Sequence, residues 1–255
     1  MHTSKTFLGL ALLLFAPSCS HRYYAPNTIQ MPALRASGDA VANVGLAVGP
    51  EYSGVEAHAA YSPAKHTALM INYFRASSDK DKVPDNITPG GSNEPQWGKG
   101  QFLEGAVGGY LPLDERNTLS MFVGMGEGST YNYFGLSRFA DLRFRRWFVQ
   151  PSITAEYNRV RLGFGLRFAR LKFYRGLVDY RIDEQEREVI ERLVEDSPMF
   201  LPEYALHFSW KMGIFSINNT VTYSPSQAAQ KDNRFAGSNL NLGLGVDLHK
   251  FWKKQ

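Results

Sequence analysis

The 255-residue chain closes on a stretch, residues 238–252, that reads SNLNLGLGVDLHKFW. Leu240, Leu242, Leu244, Val246 and Leu248 occupy every second position, with Asn239, Asn241, Gly243, Gly245 and Asp247 between them. A strand sends alternate side chains to opposite faces, so this period of two builds one apolar face and one small or polar face. The pattern recurs in ten runs, at 40–49, 53–62, 66–75, 101–111, 117–127, 143–157, 159–170, 200–211, 214–223 and 238–250. Such repetition predicts an all-β, antiparallel, up-and-down architecture over residues 40–252.

The connections alternate in length. Those after the second, fourth, sixth and eighth runs are short (SPAK, PLDERN, YNR, KMG), and those after the third, fifth, seventh and ninth are long, at 76–100, 128–142, 171–199 and 224–237. The first, PEYS, is the exception. Short turns at one end and long loops at the other is the organisation of a transmembrane β-barrel with periplasmic turns and extracellular loops. About ten strands are expected, and eight or twelve would keep the same arrangement, since any even number leaves both chain ends on the periplasmic side. Strands of this length, tilted by about 40°, cross a hydrocarbon layer of about 25 Å. Within the seventh connection, residues 183–196 (DEQEREVIERLVED) place Val189, Ile190, Leu193 and Val194 on one helical face. With acidic residues opening it, this segment predicts a short amphipathic helix on the extracellular rim.

Alternation alone does not say which face meets lipid, because a soluble lipocalin-type barrel would bury the apolar set. The apolar set comprises Val44, Leu46, Val48, Val55, Ala57, Ala59, Leu69, Ile71, Leu103, Val107, Leu111, Leu119, Met121, Val123, Met125, Val149, Ile153, Val160, Leu162, Phe164, Leu166, Leu206, Phe208, Ile217 and Val221, with the C-terminal stripe. The opposite set is dominated by Gly, Ala, Ser, Thr and Asn, and Lys is nearly absent from strand interiors. A water-facing exterior would be rich in Lys and Glu, whereas small residues suit the inside of a narrow barrel. Aromatic residues gather at strand ends: Tyr61, Tyr157, Trp210, Phe215 and Trp252 at the short-turn end, Tyr52, Tyr73, Trp147, Phe168, Tyr204 and Tyr223 at the other. Two such belts are what anchoring at both membrane interfaces predicts.

The N-terminus reads as an export signal. Lys5 precedes a ten-residue apolar run, Phe7 to Ala16, too short to span a bilayer as a helix but suited to a signal peptide over 1–18. Cleavage before Cys19 fits ordinary signal peptidase, and it also fits a lipoprotein signal in which Cys19 becomes the acylated first residue. Cys19 is the sole cysteine, which excludes an intramolecular disulfide. Residues 19–39 (CSHRYYAPNTIQMPALRASGD) show no period and read as an extended periplasmic leader. The formal charge of +4 is too mild to point to nucleic acid.

Residues 40–252 thus resemble bacterial outer-membrane β-barrels. The end, GLGVDLHKFW, is similar to the C-terminal insertion signal of such proteins, although Lys253-Lys254-Gln255 follow its aromatic. The Ser18-Cys19-Ser20 leader on a barrel resembles proteins of the Bacteroidota type. The resemblance implies outer-membrane lipids and the barrel-insertion machinery as partners, and a monomer.

The inward set includes Glu56, Glu104, Glu156, Glu203 and Asp247 against Arg161 and Arg167, with His58 and His207. Buried charges must be paired or hydrogen-bonded, so a network that fills the lumen is expected on stability grounds alone. The competing reading is a polar pore or a catalytic cluster. Ten strands also resemble the omptin proteases, which carry acidic residues and a His at the extracellular mouth, but none of the four long connections here contains a His. No Ser–His–Asp or Cys–His spacing and no metal-ligand cluster is present, so neither catalytic residues nor a metal or cofactor is expected. The expectation is a non-enzymatic outer-membrane barrel with a structural, adhesive or small-solute role carried by its long loops. An outer-membrane enzyme and a soluble, lipid-anchored barrel binding an apolar ligand are the alternatives.

Overall fold

The structure, a computed structural model, describes residues 23–49, 52–79, 97–225 and 235–248. Ten antiparallel strands run β1 Ala40–Gly49, β2 Tyr52–Ala64, β3 Thr67–Asp79, β4 Trp97–Pro112, β5 Asn117–Tyr133, β6 Phe139–Tyr157, β7 Val160–Val178, β8 Met199–Met212, β9 Phe215–Tyr223 and β10 Ser238–Asp247. Each pairs with its sequence neighbours, and β1 pairs with β10 to close the barrel. Closure is in register along the opening motif: Val44 faces Leu244, Leu46 faces Leu242 and Val48 faces Leu240. Every backbone edge is thereby satisfied.

The apolar set points outward. Leu46 is 61 % exposed, Val107 57 %, Leu206 64 % and Leu244 64 %. The barrel is inside-out relative to a soluble protein, with its carboxylates and guanidinium groups within. Of the aromatic belts, Tyr61, Trp147, Tyr157, Tyr204 and Trp210 are exposed on the outer surface, while Tyr73 and Tyr223 are partly so. Tyr52 is a correction: it is 8 % exposed and faces the lumen, where its ring meets Phe74 edge-on. Its parity is that of Glu56 and His58, the inward residues of the same strand. Trp252 and Cys19 lie outside the described residues.

The barrel is taller on one side. β6 and β7 each have 19 residues, whereas β9 has 9. The loop expected at 128–142 is therefore mostly strand, reduced to residues 134–138. Above the apolar band the outer surface carries an aromatic ladder: Trp97 stacks on Tyr133, and Tyr131 on Phe139. Cross-strand ring pairs of this kind stabilise sheet beyond the reach of apolar alternation.

The leader departs most from expectation. Instead of lying in the periplasm as a free segment, residues 23–35 run down the inside of the barrel. Tyr24 forms a parallel bridge with Phe235 in the β9–β10 connection, at the long-loop end. Further down, the Gln150 side-chain amide donates to the Gln30 carbonyl at 2.7 Å. At the far end Arg35 donates to the Asp114 carbonyl in the β4–β5 turn, and Gly38 N–H to Ser62 O at 2.8 Å. Asp39 holds the last bend by accepting from the Arg35 and Ala36 N–H groups. The chain then turns into β1.

The predicted helix forms as α1, Glu184–Glu195. Val189 and Ile190 are buried, and Ile190 and Val194 lie over Gly176 of β7. The Tyr23 hydroxyl donates to Glu186. The helix is thus part of the long-loop end of the core, not a freely solvated rim element.

Candidate functional site: the plugged lumen

Space for the leader is cut into the wall by glycine. A Cβ at Gly163 would meet Met31 Sδ at 2.9 Å, and one at Gly165 would meet Ile29 Cγ2 at 2.9 Å. Other lumen glycines face rings on the neighbouring strand: Gly124 lies against Phe148, Gly128 against Phe144 and Gly108 against Phe122. The small-residue face expected from sequence therefore leaves room for a segment and for inward phenylalanines.

Two carboxylate networks lie on the plug. The first joins β4, β6, β7 and β8. Arg146 pairs with Glu104 and lies 3.8 Å from Glu203, while Arg167 pairs with Glu203 and lies 3.6 Å from Glu104. All four side chains are fully buried. The leader completes the set. Asn27 donates to Glu104 at 3.0 Å and accepts from Arg146 at 2.5 Å, and its backbone carbonyl accepts from Arg167 at 2.8 Å. The Tyr24 hydroxyl accepts from Arg146 and donates to Glu203 at 2.9 Å. Phe102 lies 4.4 Å from the Arg146 guanidinium, a cation–π contact in a desolvated setting.

The second network centres on Glu56 of β2. Its carboxylate accepts from Thr28 N–H at 3.0 Å, from the Thr28 hydroxyl, from Asn239 at 2.6 Å and from Asn241 at 2.9 Å. His58 Nε2 is 3.2 Å away, and His58 Nδ1 faces Asn72 at 3.1 Å. Asn72 in turn donates to Glu104 at 2.8 Å, linking the two networks.

A third cluster lies toward the short-turn end. Glu156 is bound by Arg161 and by Lys211 at 2.9 Å, and Asp247 lies 3.4 Å from Arg161 and 3.7 Å from Lys211. His207 is apart from Glu56 and His58, bonded to Thr220 at 2.8 Å. The sequence-derived set therefore falls into three hydrogen-bonded groups with His207 outside them, and His58 and His207 share no bond although both line one cavity with Arg161 and Asp247.

Chemically, these arrangements are densely bonded, with Arg146 Nε, Arg167 Nη1, Asn239 Oδ1 and Asn241 Oδ1 left without a hydrogen-bond partner among the described residues. Glu56, Glu104, Glu156 and Glu203 are each engaged by several donors, Asp247 accepts from Arg161 at 3.4 Å, and both ring nitrogens of His58 are bonded. Among the described residues two cavities lie beside the plug, of about 50 Å³ beside Tyr24, Phe74 and Phe102 and about 40 Å³ beside Met31, His58, Arg161 and His207.

Arg146 and the leader residues are what sequence reading missed. Arg146 had a signal: with Trp147 and Val149 outward, residues 146 and 148 must face inward. Tyr24, Asn27 and Thr28 had none, since no periodicity ties them to β2, β4, β6, β7 or β8.

No family model matches the chain, and no curated protein matches it either. Among solved structures it is similar to the outer membrane protease OmpT from Escherichia coli, at 8 % identity and a TM-score of 0.41, covering 83 % of this chain and 94 % of that one. It is also similar to an outer membrane channel from Pseudomonas putida F1, at 8 % identity and a TM-score of 0.40, covering 86 % and 100 %. For Ail from Yersinia pestis the identity is 9 %, the TM-score 0.36, and the coverage 83 % and 99 %.

Proposed function

We propose that the chain is an integral outer-membrane β-barrel closed by its own leader, with a structural or adhesive role at the cell surface and no diffusion pore. The observation that carries this reading is the reversed polarity of a closed barrel. Its outer surface is a continuous band of exposed Leu, Val, Ile, Met and Phe, and its interior holds Glu56, Glu104, Arg146, Arg167 and Glu203. In water that band would be an aggregation surface, while in hydrocarbon it is the required one. A soluble barrel binding an apolar ligand is disfavoured by the same observation, since the lumen is polar and already occupied. Outer-membrane fractionation followed by high-salt and carbonate washes tests the reading. The protein is expected to stay with the membrane and to show heat-modifiable gel mobility, and release by either wash would sink it.

A non-conducting role rests on the plug. Residues 24–31 bond to both major networks, and the space left beside them is small. Function then belongs to the long-loop end, where α1 and the β9–β10 connection gather around Tyr23 and Tyr24. With short turns in the periplasm, this end faces the exterior.

The lipoprotein reading of Cys19 gains a direction. Cys19 precedes Tyr23 by four positions, and four residues span at most about 14 Å. Tyr23 is held at the long-loop end through Glu186. An acyl group on Cys19 would then anchor in the outer leaflet, not across about 25 Å of hydrocarbon on the periplasmic side. Palmitate incorporation that disappears in Cys19→Ala is the expected result. An epitope inserted after Ser20 should be reached by antibody on intact cells.

A further inference from the structure

The outer surface is not uniformly apolar at the long-loop end. β6 and β7 carry Arg143, Arg145, Arg170, Lys172 and Arg175 outward, above the lipid-facing Val149, Phe164 and Phe168. The register sets two pairs of like charges directly opposite each other, Arg143 against Arg175 and Arg145 against Lys172, and places Arg170 opposite Trp147. Opposed like charges on one face of a sheet destabilise it. Two anions share this face: Glu127 of β5 pairs with Arg145, and Asp141 lies two positions from Arg143 on β6 without an ion pair to it, so the other four cations have no ion pair among the described residues. The patch is also local. On β1, β2, β9 and β10, across the barrel, the described outward positions at this end are Val48, Ser53, Val55, Val221, Tyr223 and Leu240, with no charge among them, and Arg75 of β3 and Lys99 of β4 are single outward cations rather than an opposed set.

We propose that this face of β6 and β7 is a docking site for the phosphate groups of a multiply acylated, phosphorylated glycolipid in the outer leaflet. The inference rests on the outer-membrane reading. A phosphate placed between Arg143, Lys172 and Arg175 converts opposed repulsion into charge-assisted hydrogen bonds, for which the planar guanidinium is well shaped. The acyl chains then lie along the apolar band directly below, on Val123, Val149 and Phe164. Charge above and hydrocarbon below matches the two halves of such a lipid, and a soluble anion would use only the first.

The test titrates diphosphoryl hexa-acyl lipid A against the purified, detergent-folded full chain and counts retained lipid by native mass spectrometry. Wild-type protein is expected to bind it at least about tenfold more tightly than the R143Q/R170Q/K172Q/R175Q variant. Dephosphorylated lipid A should bind wild type as weakly as the intact lipid binds the variant. Retained heat-modifiable mobility shows that the variant is folded, and the dephosphorylated arm needs no variant at all. Equal binding of the two lipids to wild type overturns the proposal. So does displacement by inorganic phosphate at the lipid's own concentration, which would mark a free-anion site. Wild-type protein that fails to insert into phosphatidylcholine vesicles removes the membrane reading itself. Insertion with indifference to lipid A phosphates removes the docking site alone.

Discussion

Glu56 and Glu104 are both fully buried in one lumen, two strands apart, and the leader touches both, yet their partners differ in kind. Glu104 sits with Glu203 between two guanidinium groups, two negative charges against two positive. Glu56 has one titratable hydrogen-bond partner, His58, and otherwise draws on neutral donors: the Thr28 backbone and hydroxyl and two Asn amides. The first network balances charge with charge, so removing one member strands another. The second disperses one charge over many dipoles, so each member matters less. The plug is bolted at both places, through Asn27 and Tyr24 to one and through Thr28 to the other.

The largest change should come from removing the bolt common to both. Deleting residues 20–36 is expected to raise single-channel conductance in planar bilayers from background to a measurable level, and to lower stability more than any point substitution. A deletion that stays silent electrically would break the plug reading. Next comes Arg146→Met, which leaves Glu104 facing Arg167 alone with one carboxylate uncompensated. Breaking a buried pair in this way typically costs about 3–5 kcal/mol, read as denaturant unfolding of the detergent-folded barrel. Glu56→Gln should cost less, about 1–3 kcal/mol, because the amide keeps the shape and some of the bonds. If the two substitutions cost the same, the distinction between charge-balanced and dipole-balanced carboxylates fails.

The smallest effect sharpens the same distinction at the surface. Asp114, in the β4–β5 turn, is an exposed carboxylate also held by neutral donors: the Arg116 and Asn117 N–H groups and the Asn117 amide, each at 2.7 Å. These bonds hold its pKa down to about 2, from an ordinary value of 3.8. A lowered folded-state value means the clamp is fully present above the ordinary value and is lost as pH falls through about 2. The Asp114 titration followed by NMR should move back up toward the ordinary value in Asn117→Ala, with little change in barrel stability. No movement would show that the amide bonds do not set it.

How much of this was legible depended on whether a residue's role was local to its strand. Leu242 and Leu244 announce an outward face, and once Trp147 is outward Arg146 must be inward. Tyr52 shows parity overriding a belt assignment made from position alone: it begins β2 two turns of alternation before Glu56, and so shares its face. The extent of β5 to β7 was harder to read, because above the apolar band the strands are held by ring pairs and polar residues that carry no period-two hydropathy signal. Trp97, Tyr131, Tyr133 and Phe139 are recognisable as a ladder only when the strands are in register.

The sequence by itself determined a closed antiparallel barrel with an apolar exterior and charged residues within, because alternation is a property of each strand and needs no partner to be seen. The tertiary structure decided what those charges do. Thr28 finds Glu56, Asn27 finds Arg146 and Glu104, and Met31 finds the gap at Gly163 only after ten strands have closed around an aperiodic leader. A segment with no pattern of its own can be placed only by the surface it complements, and that surface is assembled from residues far apart in the chain.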